Sequence, residues 1–327
     1  MKVFRRAWPY LLLAILLLAN VIVWSQRQAI VDWWRLREYQ APGSISSLAD
    51  ESTMTDAARH LFYINHPSLE SKESFNEHCA DESKETAVLG CYRGNRQGIY
   101  IYDVNDDRLN GVKQVTAAHE MLHQAYDRLS DKDRQHIDQL LENFYKNGLS
   151  DEAVKTKLDS YKKQPGTVLA NEMHSIFGTE VRDLPAELET YYKTYFIDRS
   201  KVVSYREAYQ GEFTRRQDLV KQYDGQLSDL KKQINTNKAT LEQEMNFLNE
   251  KEKSINQDIN ASNQAAYQAD VQSYNTTVNN YNSLLTTTRS LISQYNDIVN
   301  KRNDLAIQEQ QLQQALDSRL NAPTTKQ

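Results

Sequence analysis

His119, Glu120 and His123 stand in the order His-Glu-Met-Leu-His within Val112 to Leu129, where Val115, Ala118, Leu122 and Tyr126 recur at helical spacing. Two histidines four apart on a helix point from one face, one turn apart, and can share a zinc ion. The glutamate between them is then aimed beside the metal-bound water. There it can take the proton during attack on a carbonyl and return it to a leaving amine. Small residues (Thr116, Ala117, Ala118) precede the motif, and Met121, Leu122 and Tyr126 give its helix an apolar face. An ordinary helix carrying two histidines is the bland reading of five such residues taken alone.

A hydrolytic zinc site keeps three protein ligands and one open position, so a third ligand must come from another element. Asn171-Glu172-Met173-His174-Ser175-Ile176-Phe177-Gly178 supplies one, with Glu172 49 positions beyond His123. With both motifs in view the chain resembles the gluzincin metallopeptidases, the thermolysin-like group, whose second helix carries Asn-Glu-x-x-Ser. That resemblance implies one Zn2+ ion held by His119, His123 and Glu172, with Glu120 as the catalytic base and Asn171 and Ser175 as motif neighbours. It also implies an edge strand beside the catalytic helix that pairs with extended substrate, a role that Gly98 to Tyr102 matches. The resemblance spans roughly residues 97 to 185. The Ile-Phe-Gly sequence begins one residue early, and an aspartate that the family uses to support its histidines is missing. Glu180 and Asp183 are the residues nearest to hand for that support.

Other residues compete for these roles. His174 lies two positions from Glu172, about 200° around a helix, and ranks second as a ligand. Asp127, four beyond His123, could reach the ion only with difficulty, and His60, His66, His78 and His136 are isolated. A donor to the developing oxyanion is also required. Tyr191, Tyr192 and Tyr195, after Pro185, are candidates, although packing is the favoured reading of each one taken singly.

The elements that must position these groups follow from capping and spacing. Thr55-Asp56 opens one short helix, and Ser130 with Asp133 opens another that ends at Gly148. Gly98-Ile99-Tyr100-Ile101-Tyr102 has the composition of a strand. Cys79 and Cys91, with eleven residues between them, read as a structural disulfide rather than a zinc ribbon.

Glycine and proline divide the chain of 327 residues. Twelve of the sixteen fall between Pro42 and Pro185, and none between Leu227 and Ala322. A stretch without turn formers is long and helical, which excludes one large globular enzyme or an all-β sandwich. Phe213, Val220, Leu227, Ile234, Leu241, Leu248 and Ile255 recur every seven positions. A turn near Asn260–Gln264 leads to a second run with Tyr267, Tyr274, Tyr281 and Tyr295 in step. The expected fold is therefore α+β: a small helix-rich zincin-like catalytic domain with a short sheet, then a long antiparallel α-helical coiled-coil hairpin. Pairing of that coil with another chain is the alternative.

At the other end, Ala7 to Trp24 is apolar apart from Asn20 and follows Lys2, Arg5 and Arg6. This predicts a single-pass signal-anchor with the N-terminus cytoplasmic and the catalytic domain on the extracytoplasmic side of the cell membrane. A signal peptide cut after Ser25 is the alternative. The expected divisions are residues 1–26 (anchor), 27–46 (juxtamembrane linker), 47–198 (metallopeptidase), 199–320 (hairpin) and 321–327 (disordered tail).

A net charge of −5 and the lack of a dominant basic run do not fit a nucleic-acid partner. The expected activity is zinc-dependent endopeptidase hydrolysis of a peptide or protein substrate, the hairpin serving a protein partner or self-association. A cell-envelope scaffold or adaptor with a structural or inactive zinc site is the other class of function that the sequence allows.

Overall fold

The computed structural model describes residues 13, 16–18, 20, 21, 23–79, 88–94, 97–162, 166–260 and 263–320. They form two compact units: residues up to Gln210 together with those from Gln314 onward, and Gly211–Gln313.

The first unit is helix-rich around a small sheet. Helices α1 (Arg27–Leu36), α2 (Gly43–Glu51) and α3 (Asp56–Tyr63) are followed by β1 (Ser68–Glu70), α4 (Lys72–Cys79), β2 (Gly90–Arg93) and β3 (Gly98–Tyr102). Then come α5 (Val112–Asp127), α6 (Asp131–Asn147), α7 (Glu152–Tyr161), α8 (Gly166–Glu180) and α9 (Ala186–Tyr192), and the start of α10 (Arg199–Asn260). The expected caps form. Thr55 accepts from the Ala58 amide, and Ser130 from that of Asp133.

Helix α5 is the axis of the core. Twelve of its sixteen residues are buried, so it is covered on nearly every side rather than along one stripe. The same core holds Phe62 of α3, Ile99 and Ile101 of β3, Leu141 and Phe144 of α6, and Ile176 and Phe177 of α8. Helix α8 comes closest. At Gly178 an added Cβ would stand 2.4 Å from Leu122 Cδ1 and 2.8 Å from Tyr192 Cε1, so only hydrogen fits there.

The sheet corrects one expectation. Its order is β1-β3-β2, with β1 parallel and β2 antiparallel to β3. Gly98–Tyr102 is thus the central strand, flanked on both sides because Tyr100 pairs with Ser68 as well as Cys91. The edge strand facing α5 is β2. Cys79 and Cys91 form a disulfide, tying the end of α4 to β2 amid Phe75, Val88, Tyr100 and Tyr102.

Two boundaries also move. The stretch expected to be a linker contains α1, whose buried Asp32 receives both guanidinium nitrogens of Arg128 at 2.9 and 2.8 Å, and Ile45 of α2 is in the core. After the hairpin, Ser318 is fully buried in the first unit. Its hydroxyl donates to the Val88 carbonyl at 2.6 Å, and the Ser318 carbonyl accepts from Asn76 Nδ2 at 2.5 Å.

The membrane anchor does not survive. Most of residues 1–26, like the tail 321–327, lies outside the described residues. Among the described ones no helix is long and apolar enough to cross a membrane. The described helix nearest to that stretch, α1, has ten residues and carries Arg27, Asp32 and Arg35. The single-pass topology and the extracytoplasmic placement derived from it are therefore withdrawn.

Arg199, the first residue of α10, is buried and closes the end of α8. Its guanidinium donates to the carbonyls of Phe177, Val181 and Arg182 at 3.2, 2.5 and 2.7 Å, and it pairs with the Glu189 carboxylate. A cation is favourable at a helix C-terminus, where carbonyls lack amide partners.

The second unit is the remainder of α10 and most of α11 (Gln264–Leu316), a long helical hairpin. Ile234, Leu241 and Leu248 of the seven-residue series are buried, with Asn237 and Glu244 half-buried between them. Thr288, also buried, satisfies its hydroxyl on the Leu284 carbonyl at 2.7 Å. Lys251 meets Asp270 at 2.8 Å and Arg302 meets Asp224 at 2.5 Å. Partner numbers rise on one helix as they fall on the other, so the helices run antiparallel.

Candidate metal centre

Helices α5 and α8 bring three donors together. His119 and His123 lie one turn apart on α5, and their Nε2 atoms are 3.1 Å from each other. Glu172 of α8 places one carboxylate oxygen 3.7 Å from His119 Nε2 and the other 3.7 Å from His123 Nε2. Tetrahedral ligands at zinc bond lengths of about 2.0–2.1 Å stand roughly 3.3 Å apart. The three separations bracket that figure, and suitable donor atoms all fall within 4.8 Å of one another. Among the described residues this is the one grouping of three or more His, Cys, Asp or Glu side chains close enough to hold a metal.

The ring states suit a cation. His123 Nδ1 donates to Asn171 Oδ1 at 2.9 Å, with Ser175 Oγ 3.2 Å from the same nitrogen. That leaves the Nε2 lone pair of His123 directed at Glu172 and His119. Burial, followed by the charges of His123, Lys157 and His174, holds the His119 pKa well below the usual histidine range, so its imidazole stays neutral. One turn of α8 thus supplies both a ligand and the group that orients another ligand, because Asn171 and Ser175 share a face flanking Glu172. Asn171→Ala is expected to weaken zinc binding by about 10–100-fold with little change in the melting temperature. Competition against a chromophoric chelator measures it.

Glu120 is buried beside this cluster, against β2. A Cβ on Gly90 would lie 2.7 Å from Glu120 Oε1 and 2.8 Å from its Cγ, and 2.5 Å from Thr116 Cγ2. The edge strand therefore reaches the glutamate only because residue 90 has no side chain.

The other residues singled out from the sequence fall elsewhere. Glu180 and Asp183 do not support the histidines. Glu180 accepts from Lys157 Nζ at 2.6 Å and faces Arg206, while Asp183 is exposed. His174 is fully buried on the far side of α8, its Nε2 2.7 Å from the Tyr191 hydroxyl. Tyr191 and Tyr195 hydroxyls are 3.2 Å apart, and Tyr192 donates to the His174 carbonyl at 2.6 Å. The three tyrosines thus enclose His174 rather than the metal cluster. Asp127 is exposed at the end of α5.

Burial, then the charge of His123, pushes the His174 pKa down to about 3. The unfolded chain takes up this proton near pH 6.5. Stability should therefore fall as pH drops from about 6.5 towards about 3, because only the unfolded state is protonated across that window. Denaturant unfolding of the metal-free chain checks this: His174→Gln should show a shallower pH dependence.

Two neighbours escaped sequence reasoning. Gly90 is one of the eleven residues between the cysteines and carries no motif of its own. Tyr161, at the end of α7, lies three and seven positions after the buried Leu158 and Val154, a faint helical stripe. Burial, followed by the negative charges of Glu172, Glu120 and Glu180, pushes its phenol above the ordinary range. The surface concavity lined by Arg182, Glu189, Lys193 and Ser200 contains none of the cluster's residues.

Comparison with protein-family models, with curated proteins and with solved structures finds no match for this chain.

Proposed function

We propose that this chain is a zinc-dependent endopeptidase built on a minimal gluzincin-like catalytic domain. The observation that carries the proposal is the convergence of His119, His123 and Glu172 from two helices, with Glu120 held beside them. Two neutral imidazoles and a carboxylate are a donor set suited to zinc, and three ligands leave a position open. When bound, the ion supplies Lewis acidity, making water nucleophilic near neutral pH and drawing charge from a carbonyl oxygen. Glu120 takes the proton of the attacking water and delivers it to the departing amine. Asn171 and Ser175 fix the ring of His123 during both steps. An extended peptide finds its docking edge on β2, whose Gly90 brings the backbone against Glu120.

The test is direct. The purified chain should retain about one zinc per molecule and cleave an unstructured peptide. A chelator should stop cleavage, and added zinc should restore it. A chain that binds no zinc would refute the proposal. The second reading, a scaffold whose zinc only braces the fold, draws on the size of the all-helical Gly211–Gln313 unit. In that case metal removal would lower the melting temperature while no peptide was cut.

A further inference from the structure

The amphipathicity of α1 is inverted. A helix at a water-facing surface buries its apolar stripe and exposes its polar residues. In α1 the buried residue is Asp32, its carboxylate held by Arg128, and Arg35 and Leu36 are half-buried on the same side. Arg35 donates to the Ile64 carbonyl, and its own carbonyl accepts from His66 Nε2 at 3.0 Å. Ile30, Val31, Trp33 and Trp34 face outward, the two indoles 58% and 62% exposed. At helical spacing these four cover an arc of about 160°, and Arg27 lies within it. Val21, Val23 and Trp24, just before the helix, are exposed as well. Large apolar side chains gathered on one face mark an interaction surface, as singly scattered ones do not.

The composition of the face identifies its occupant. The Arg27 guanidinium lies 4.6 Å from the Trp24 ring centre, and that of Arg37 lies 5.7 and 5.6 Å from those of Trp33 and Trp34. All four tryptophans of the chain fall between residues 8 and 34. Indoles, and cations on long apolar stems, settle where lipid tails meet headgroups. The one acid of α1 is Asp32, which is turned inward; Glu38, just past the helix, stands 4.0 Å from Arg37. We infer that α1 is a lipid-docking element whose outer face lies in the plane of an anionic bilayer surface. Trp33 and Trp34 sit at the boundary between headgroups and acyl chains, and Arg27 and Arg37 meet lipid phosphates. The contact is peripheral and needs no segment to cross the bilayer. Through Asp32 and Arg128, the residue after α5, it holds the first unit at that surface. It is independent of the hydrolytic reading, because a chain that cut no peptide would dock equally well.

The test uses the full chain carrying Trp8→Phe and Trp24→Phe, so that Trp33 and Trp34 alone report. Vesicles of phosphatidylcholine and phosphatidylglycerol should shift their emission to shorter wavelength. Lipid brominated near the headgroup end of its acyl chains should quench them about twofold more than lipid brominated near the chain ends, as an in-plane helix requires. Adding Arg27→Gln and Arg37→Gln should raise the lipid concentration at half-maximal shift by about fivefold for each arginine. An unchanged midpoint would overturn the phosphate contact. Emission unmoved by vesicles and unquenched by bromine would overturn the docking itself, even if the chain floated with the lipid. Strongest quenching from the chain ends would overturn the in-plane placement. Emission that shifts with protein concentration in the absence of lipid would assign the face to a second copy of the chain instead. Trp33→Gln with Trp34→Gln should leave the melting temperature unchanged; a fall would overturn the inference by showing that the indoles pack within the protein.

Discussion

Glu120→Gln is expected to lower peptide turnover by about 10²–10⁴-fold while leaving zinc content and the melting temperature unchanged. Glutamine has nearly the shape of glutamate, so it fills the same narrow space against Gly90 and Thr116. It cannot accept the proton of an attacking water. Because Glu120 is absent from the ligand grouping, the ion should stay bound. A fluorogenic peptide assay beside metal analysis decides the matter. Equal loss of zinc and activity would make Glu120 a structural residue, and undiminished turnover would remove it from the chemistry. Contaminating peptidases are controlled by passing wild type and variant through one purification and one chelator titration.

Glu172→Ala should abolish zinc retention at stoichiometric metal, and peptide cleavage with it. The variant leaves two imidazoles on α5 and no anionic donor from α8. Its loss of affinity should exceed the roughly 10–100-fold expected for Asn171→Ala, which removes only an orienting hydrogen bond. The fold should persist. Glu172 is half-buried, and α8 is held by Ile176, Phe177 and the Arg199 clamp rather than by the carboxylate. Circular dichroism should therefore match wild type while chelator competition reports weak binding. If zinc remains fully bound, the third donor lies elsewhere and the assignment of α8 fails.

The parts of the site legible in sequence were those fixed by local helical geometry. His119 and His123 are four apart, and that spacing alone places them on one face. Glu172 was found because its motif is a second local pattern, although nothing local says that α8 folds onto α5. The helix-rich first unit, the small sheet and the long hairpin followed from glycine and proline spacing and from heptads. What stayed hidden depends on contacts between distant segments. The approach of Gly90 to Glu120, the enclosure of His174 by three tyrosines and the guanidinium of Arg199 on the end of α8 join residues 17 or more positions apart. The strand signal of Gly98–Tyr102 was sound, but its place in the sheet depends on β1 and β2, which have weaker patterns. The apolar N-terminal run suggested an anchor from composition alone. Among the described residues no helix is long and apolar enough to cross a membrane, and the chain just beyond that run bonds through Asp32 to Arg128, a contact that composition does not encode.

The disulfide beside β2 bears on more than the rigidity of the first unit. Side chains alternate along a strand, so a slip of one residue exchanges its two faces. Such a slip in β2 would set Leu89 or Cys91 against Glu120, where a single Cβ already collides. Cys91 is anchored to Cys79 on α4, and the strand therefore cannot slide along β3 without breaking a covalent bond. The bridge acts as a register lock: it decides which residue of the edge strand meets the glutamate.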